Sequence, residues 1–345
     1  MKAWQLTAPN GPGALKLNHL PDPKPAPGQV LVRVCATALN YRDLMVANGR
    51  YGDGTPLPLI PLSDGAGEVA AVGEGVTQWK VGDRVAATFF QNWQTGPARR
   101  EIFSAALGGS INGMLAEYVA LSADGVVALP PHLSFEEAAT LPCAALTAWH
   151  ALVTSGNVSA GQTVLVLGTG GVSIFALQFA KMHGARVIIT SSRDAKLARA
   201  KALGADLAIN YRTTPDWEKE VFRLTHMAGA DHIVEVGGKD TFPKSLRAVA
   251  MGGTVSVIGG VSGFTSDVAL RDILGKSVLI RGIFVGNRDM FQAMNRAISQ
   301  QKLKPVMDRV FPFSEAPAAY SYQESGAHFG KVVITVSPPN GHPNP

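Results

Sequence analysis

The segment Leu165-Val166-Leu167-Gly168-Thr169-Gly170-Gly171-Val172-Ser173 has the residue types of a phosphate-binding turn. Gly168 allows a tight turn out of an apolar strand, and Gly170 and Gly171 let the backbone approach a pyrophosphate. Val172 opens the following helix, whose free N–H groups and partial positive charge suit an anion. Ser173 stands where such turns usually carry a third glycine, and it is small enough to keep strand and helix close. Between a clear strand and a clear helix, this turn points to a dinucleotide. The end of the next strand selects which one. A site for NAD carries Asp or Glu there, bonding the ribose 2′-hydroxyl. Here the run is Thr190-Ser191-Ser192-Arg193, with Lys196 one helical turn on. Hydroxyls and cations suit a 2′-phosphate, so NADPH is the cofactor expected. Asp194 competes with that reading, but reads more simply as the N-cap of the next helix.

Such a turn needs a sheet to hold it. TVLVLG (163–168), RVIITS (186–191), DLAIN (206–210), DHIVEVG (231–237), TVSVIGG (254–260) and SVLIRGIFVG (277–286) are apolar candidate strands, most separated by helical patterns. Strands of this kind are buried on both faces, and right-handed crossovers wind them into a doubly wound parallel α/β sheet. Residues 1 to about 130 read instead as β-rich, with short apolar runs at 30–39 and 67–73 broken by Gly and Pro. Residues 89–113 lack periodicity and read as a loop or lobe. SFEEAATLPCAALTAWHALVTSG (134–156) reads as helical, with Ser134 and Glu137 in capping-box spacing. From Met290 on, a helix, the strand GKVVITV (330–336) and a frayed end SPPNGHPNP are expected.

The 345 residues are 46% hydrophobic and 17% charged, which excludes disorder and gives enough chain for two domains. Two cysteines, Cys35 and Cys143, exclude a disulfide scaffold. No apolar run reaches the roughly 18 residues of a membrane span, so no membrane partner is expected. The start MKAWQLT lacks the apolar core of a secretory signal, and a cytoplasmic location is expected. The net charge of +5 is scattered, which argues against nucleic acid and fits a small polyanionic ligand. Neither the G-x-S-x-G elbow of the hydrolases nor a Walker A motif is present.

Lys80-Val81-Gly82-Asp83-Arg84-Val85, AATLPCAALTAWHAL (138–152), GTGGVS (168–173), KALGAD (201–206) and GKVVI (330–334) together resemble the medium-chain dehydrogenase/reductase superfamily, over almost the whole chain. The resemblance implies a discontinuous GroES-like catalytic domain, residues 1–130 and 291–345, and a Rossmann cofactor domain, residues 131–290. The active site would lie in the cleft between them. The zinc alcohol dehydrogenases of the superfamily carry Cys where Asn40 stands, and Gly-His-Glu where Leu62-Ser63-Asp64 stands. Only Cys143 matches a catalytic ligand, and one thiolate does not make a tetrahedral zinc site. The cysteines of their structural zinc lobe are missing from residues 85–115. No metal is expected, and Cys143 is expected to be a small buried residue.

What remains resembles the zinc-free branch, the NADPH:quinone oxidoreductases and enoyl reductases. The likeness lies in Leu39-Asn40-Tyr41-Arg42-Asp43, Asn48-Gly49-Arg50-Tyr51 and Ala208-Ile209-Asn210-Tyr211-Arg212. It implies that Lys196 and Tyr211 lie at the 2′-phosphate end, and that Thr147, Gly259 and Phe284 are also cofactor-binding. Without zinc, hydrogen-bond donors must meet the charge that develops on a conjugated carbonyl. Asn40, Tyr41 and Tyr51 are the catalytic candidates, with Ser63 and Thr147 near the expected cleft. Tyr51 matches by position the proton donor of mitochondrial-type 2-enoyl thioester reductases. Phe89, Phe90 and Trp93 could wall a planar substrate or pack the loop. The expected function is reduction of quinones or α,β-unsaturated carbonyl compounds, a small-molecule substrate. The alternatives are an enoyl-thioester reductase, a nucleotide- or RNA-binding relative without activity, and a zinc alcohol dehydrogenase, which the missing ligands oppose. A homodimer is expected through the apolar edge 277–286.

Overall fold

The computed structural model describes residues 1–52 and 54–337, so the frayed end expected beyond Ser337 lies outside the described residues. The chain forms two compact units, Met1–Leu146 with Gly286–Pro345, and Thr147–Val285.

In the first unit, β1 (Lys2–Leu6) pairs antiparallel with β2 (Leu15–His19). The main sheet is built on β3 (Gln29–Ala38), in which Val30, Val32 and Val34 are buried together. One side of β3 pairs with β4 (Asp64–Val72), which leads on through β5 (Arg84–Ala87). The first half of its other side takes β6 (Tyr118–Ser122), while β7 (Val126–Ala128) closes on β5. Residues 89–113 hold a short 3-10 turn at Arg100–Ala105. Phe89, Phe90 and Trp93 are buried there, with the two Phe rings edge to face at 4.6 Å, so these aromatics pack the lobe.

Helical structure starts at Phe135, where the capping box forms as spaced. Glu137 N donates to Ser134 Oγ at 3.2 Å, and Ser134 N donates to Glu137 Oε2 at 2.8 Å. The helix then widens into π turns at Leu141–Ala145 and His150–Thr154, on either side of Leu146–Trp149. Residues 131–146, read in sequence with the cofactor domain, pack with the β-rich unit, where Phe135 lies under the Arg84 guanidinium at 4.6 Å.

The second unit holds β8 (Thr163–Val166), β9 (Arg186–Ser191), β10 (Leu207–Asn210), β11 (Ala230–Glu235), β12 (Val249–Val257) and β13 (Leu279–Gly282). All pairs are parallel, in the order β10-β9-β8-β11-β12-β13. This is the doubly wound order, which reverses direction beside β8. Val164, Leu165, Val166, Val187, Ile188 and Ile189 are buried as unbroken runs, as a sheet covered on both faces requires.

The chain returns to the first unit through the helix Arg288–Gln301, then β14 (Met307–Pro312) and β15 (Lys331–Thr335). β15 takes the second half of β3, with Val333 opposite Ala38. No helix among the described residues is long and apolar enough to cross a membrane.

Candidate active site

The nucleotide site is built at the carboxyl ends of the parallel strands, where open α/β sheets bind their ligands. After β8 the chain turns at Gly168, whose φ of +74° lies in the left-handed region that favours glycine. Its N–H donates to Thr190 Oγ1 at 3.2 Å, tying this turn to the end of β9. Gly170 is the N-cap of the helix Gly171–Met182, and no side chain caps it. The first N–H groups, from Gly171 and Val172 on, therefore suit a phosphate. Ser173, buried, donates to Leu167 O at 2.7 Å and locks helix to strand.

Ser191 ends β9 buried, Ser192 is half-buried, and Arg193 is exposed at the N-cap of Asp194–Ala202. Asp194 is thus the first helical residue rather than the expected cap. Its carboxylate accepts from Asn210 Nδ2 at 2.7 Å. Lys196 is half-buried in the first turn of the same helix. Tyr211, just past β10, donates its N–H to Ser191 O at 3.1 Å, and its side chain is exposed. Gly259 follows β12, and a Cβ there would meet Val236 O at 2.9 Å. Phe284 follows β13 and is 55% exposed, whereas Thr147 is buried. The strand ends thus bring Gly168–Val172, Ser191–Lys196, Tyr211, Gly259 and Phe284 to one edge of the sheet. This edge fits a dinucleotide: a glycine turn and an uncapped helix start, with the exposed Arg193 at the end of β9 and the Asp194 carboxylate engaged by Asn210.

The β-rich unit carries a second, buried polar set. Asn40 closes β3 and caps the helix Tyr41–Ala47, its N–H donating to Asp43 Oδ2 at 2.7 Å. Arg42 pairs with Asp43 at 3.2 Å and donates to Leu107 O at 2.8 Å and Gly108 O at 3.0 Å. The rings of Tyr51 and Phe89 lie against its guanidinium, at 4.5 and 4.9 Å. Just before β4, Ser63 Oγ donates to Asp64 Oδ1 at 2.9 Å, and Thr37 Oγ1 donates to the Asp64 carbonyl. Lys331, at the head of β15, donates to Asn40 Oδ1 at 2.6 Å and pairs with Asp64 Oδ2 at 3.3 Å. Burial pushes the Asp43 carboxyl up to about 6, with Arg42 opposing and Asp64 adding to the rise. Burial and the Asp64 charge push the Cys143 thiol up as well.

Asn40 and Tyr51 therefore belong to one connected set, through Asp43 and Arg42. Tyr41 does not join it by its side chain, which is 45% exposed. Lys331 was missed in sequence. The available signal was a lysine heading an apolar strand, a charge that must be paired once buried.

These residues do not fit a zinc ion. The ligand positions hold an amide and a hydroxyl, the thiol is held protonated, and an ammonium occupies the Asp64 carboxylate. Among the described residues, no three of His, Cys, Asp and Glu come together as a metal site.

The pattern of the zinc-binding dehydrogenase family matches residues 171–300, and that of the alcohol dehydrogenase GroES-like domain matches residues 26–131. A zinc-type alcohol dehydrogenase-like protein of Schizosaccharomyces pombe is 46% identical over 90% of this chain and 91% of its own. The chloroplastic NADPH-dependent alkenal/one oxidoreductase of Arabidopsis thaliana is 33% identical over 97% of this chain and 79% of its own. A crystal structure of a Sinorhizobium meliloti protein assigned as an alcohol dehydrogenase superposes with a TM-score of 0.92. It is 43% identical and covers 97% of this chain and 98% of that one. On these likenesses the chain belongs to the medium-chain dehydrogenase/reductase superfamily, oxidoreductases whose members include alkenal/one reductases.

Proposed function

We propose that the protein is a metal-independent, NADPH-dependent reductase of α,β-unsaturated carbonyl compounds or quinones. The observation that carries the reading is the Asn40 carboxamide. It is buried where zinc-dependent relatives hold a metal ligand, and its Nδ2 has no hydrogen-bond partner among the described residues. A donor of this kind can stabilise a developing oxyanion without a Lewis acid. Arg193 and Lys196 support NADPH, as does the name of the Arabidopsis relative. Both cysteines are free thiols, in keeping with the cytoplasm.

When bound, NADPH supplies a hydride. The Gly168 turn and the N–H groups after Gly170 would hold its pyrophosphate, and Ser191, Ser192 and Arg193 its 2′-phosphate. Asn40 Nδ2 donates to the substrate oxygen. This donor would stabilise the enolate charge left on that oxygen once the β-carbon is reduced. The Tyr51 hydroxyl gives a proton to the α-carbon of the resulting enolate and regains one from water. Arg42 holds the Tyr51 ring in place by stacking against it.

NADPH oxidation against enones, quinones, enoyl thioesters and aldehydes tests this reading, with and without a chelator. Turnover with enones or quinones that survives chelation is expected. One tightly held zinc per chain, with activity lost on its removal, would overturn it. Preference for enoyl thioesters over simple enones would assign the protein to acyl-chain reduction instead.

A further inference from the structure

The pairing of β15 with β3 places Lys331 beside the end of β3, since Leu39 N donates to Val332 O at 3.0 Å. The Lys331 side chain is 2% exposed, and its Nζ meets three acceptors: Leu39 O at 2.7 Å, Asn40 Oδ1 at 2.6 Å and Asp64 Oδ2 at 3.3 Å. An ammonium has three N–H groups and accepts nothing. All three are therefore used, and only the oxygen of the Asn40 carboxamide can face it. The amide's orientation follows: Nδ2 is the end turned away from Lys331, and it has no hydrogen-bond partner among the described residues. Asn40 is 8% exposed, so this unmatched donor is largely hidden from water. A buried amide donor without an acceptor is costly, which points to a ligand oxygen as its missing partner. Both ends of the residue are held, because the Asn40 N–H is fixed on Asp43. The Lys331 ammonium donating to Oδ1 also draws electrons through the amide and strengthens Nδ2–H as a donor.

We propose that Lys331 is a positioning residue for carbonyl reduction. Its ammonium fixes and polarises the Asn40 carboxamide, so that Nδ2 is presented to the substrate oxygen. The proposal rests on the reductase reading above. It gives this chain a buried cation that acts on the substrate through an amide, where a zinc-dependent relative acts through a metal.

The test is a double-mutant cycle read in steady-state NADPH oxidation with the best enone. Lys331→Met keeps the aliphatic stem and removes the charge. Its kcat is expected to fall about 10–100-fold, short of the ~10²–10³ cost of deleting an oxyanion donor outright. NADPH affinity should stay within about twofold, because Lys331 bonds to none of the residues assigned to the phosphates. Placed on Asn40→Ala, the same change should cost little more, because the residue it acts through is gone. Equal losses in both backgrounds, or an unchanged kcat in Lys331→Met, would overturn the proposal.

A second readout needs neither turnover nor a folded Lys331→Met. The Asn40 side-chain amide signals of the ¹⁵N-labelled wild type, identified by their loss in Asn40→Asp, should shift when a saturated ketone is added with NADP. Signals that do not move would overturn the proposal. A wild type inactive on every enone and quinone would overturn the reductase reading itself, whereas an active wild type with additive losses would overturn only the role of Lys331.

Discussion

Arg193 is exposed where β9 ends, and the nearest acidic side chain, Asp194, is occupied by Asn210. A 2′-phosphate at this edge would meet a cation and two serine hydroxyls. Arg193→Ala should therefore weaken NADPH binding by about 1.5–3 kcal/mol and leave NADH nearly unchanged. Titration of both cofactors checks this, and equal losses for the two would remove Arg193 from selectivity. Tyr51 poses a different question, because its ring and its hydroxyl have separable roles. The ring lies on the Arg42 guanidinium, and Tyr51→Phe keeps that contact. With an enone, kcat should fall by about 10²-fold or more while NADPH affinity holds. With a quinone the fall should be small, since a hydroquinone anion can take its proton from water. Asn40 and Tyr51 were legible in sequence as candidates through the family resemblance, and the structure joins them through Asp43 and Arg42. Lys331 was not, since its bond to Asn40 spans 291 residues of chain and depends on how β15 pairs.

Between β3 and β4 the chain passes Leu62, a buried residue with φ of +69° just before Ser63 and Asp64. A branched side chain in the left-handed region is strained and must be held by its surroundings. Met114 N donates to Leu62 O at 2.8 Å, and a Cβ on Gly113 would run into that same carbonyl. Gly113→Ala should thus push on the backbone that aims Ser63 and Asp64. A loss of about 1–3 kcal/mol in denaturant unfolding is expected, with lower kcat. An unchanged midpoint would show that this loop gives way freely. Gly113 was not legible as a site support, because the need for glycine arises from a contact made only in the folded state. The six strands of the cofactor unit were legible, because strands covered on both faces must be apolar throughout. β14 was not, since Asp308 and Arg309 interrupt its apolar pattern. Nor were the π turns around Leu146, because an apolar helical pattern does not distinguish an α turn from a wider one.

At the scale of the whole molecule, the edge of the parallel sheet makes its own demand. β13 is the last strand on its side, and each of its residues from Leu279 to Gly282 is exposed. Leu279 is 61% and Ile280 42% exposed, with Leu270 at 71%, Leu274 at 77% and Phe284 at 55% in the same unit. An uncovered strand leaves a row of N–H and C=O groups open to pairing, and apolar side chains along it add to the hazard. Natural edges are usually blunted by charge, proline or a covering segment, and here only Arg281 interrupts the apolar run. A second copy related by a two-fold axis is the simplest cover, because one strand can then meet its own like edge to edge. We therefore propose a homodimer as the working unit. Light scattering at micromolar concentration should give twice the mass of one chain. Ile280→Lys, which puts a charge on that edge, should shift the protein toward one chain without changing NADPH affinity. A wild type that scatters as a single chain would leave this apolar edge to some other cover.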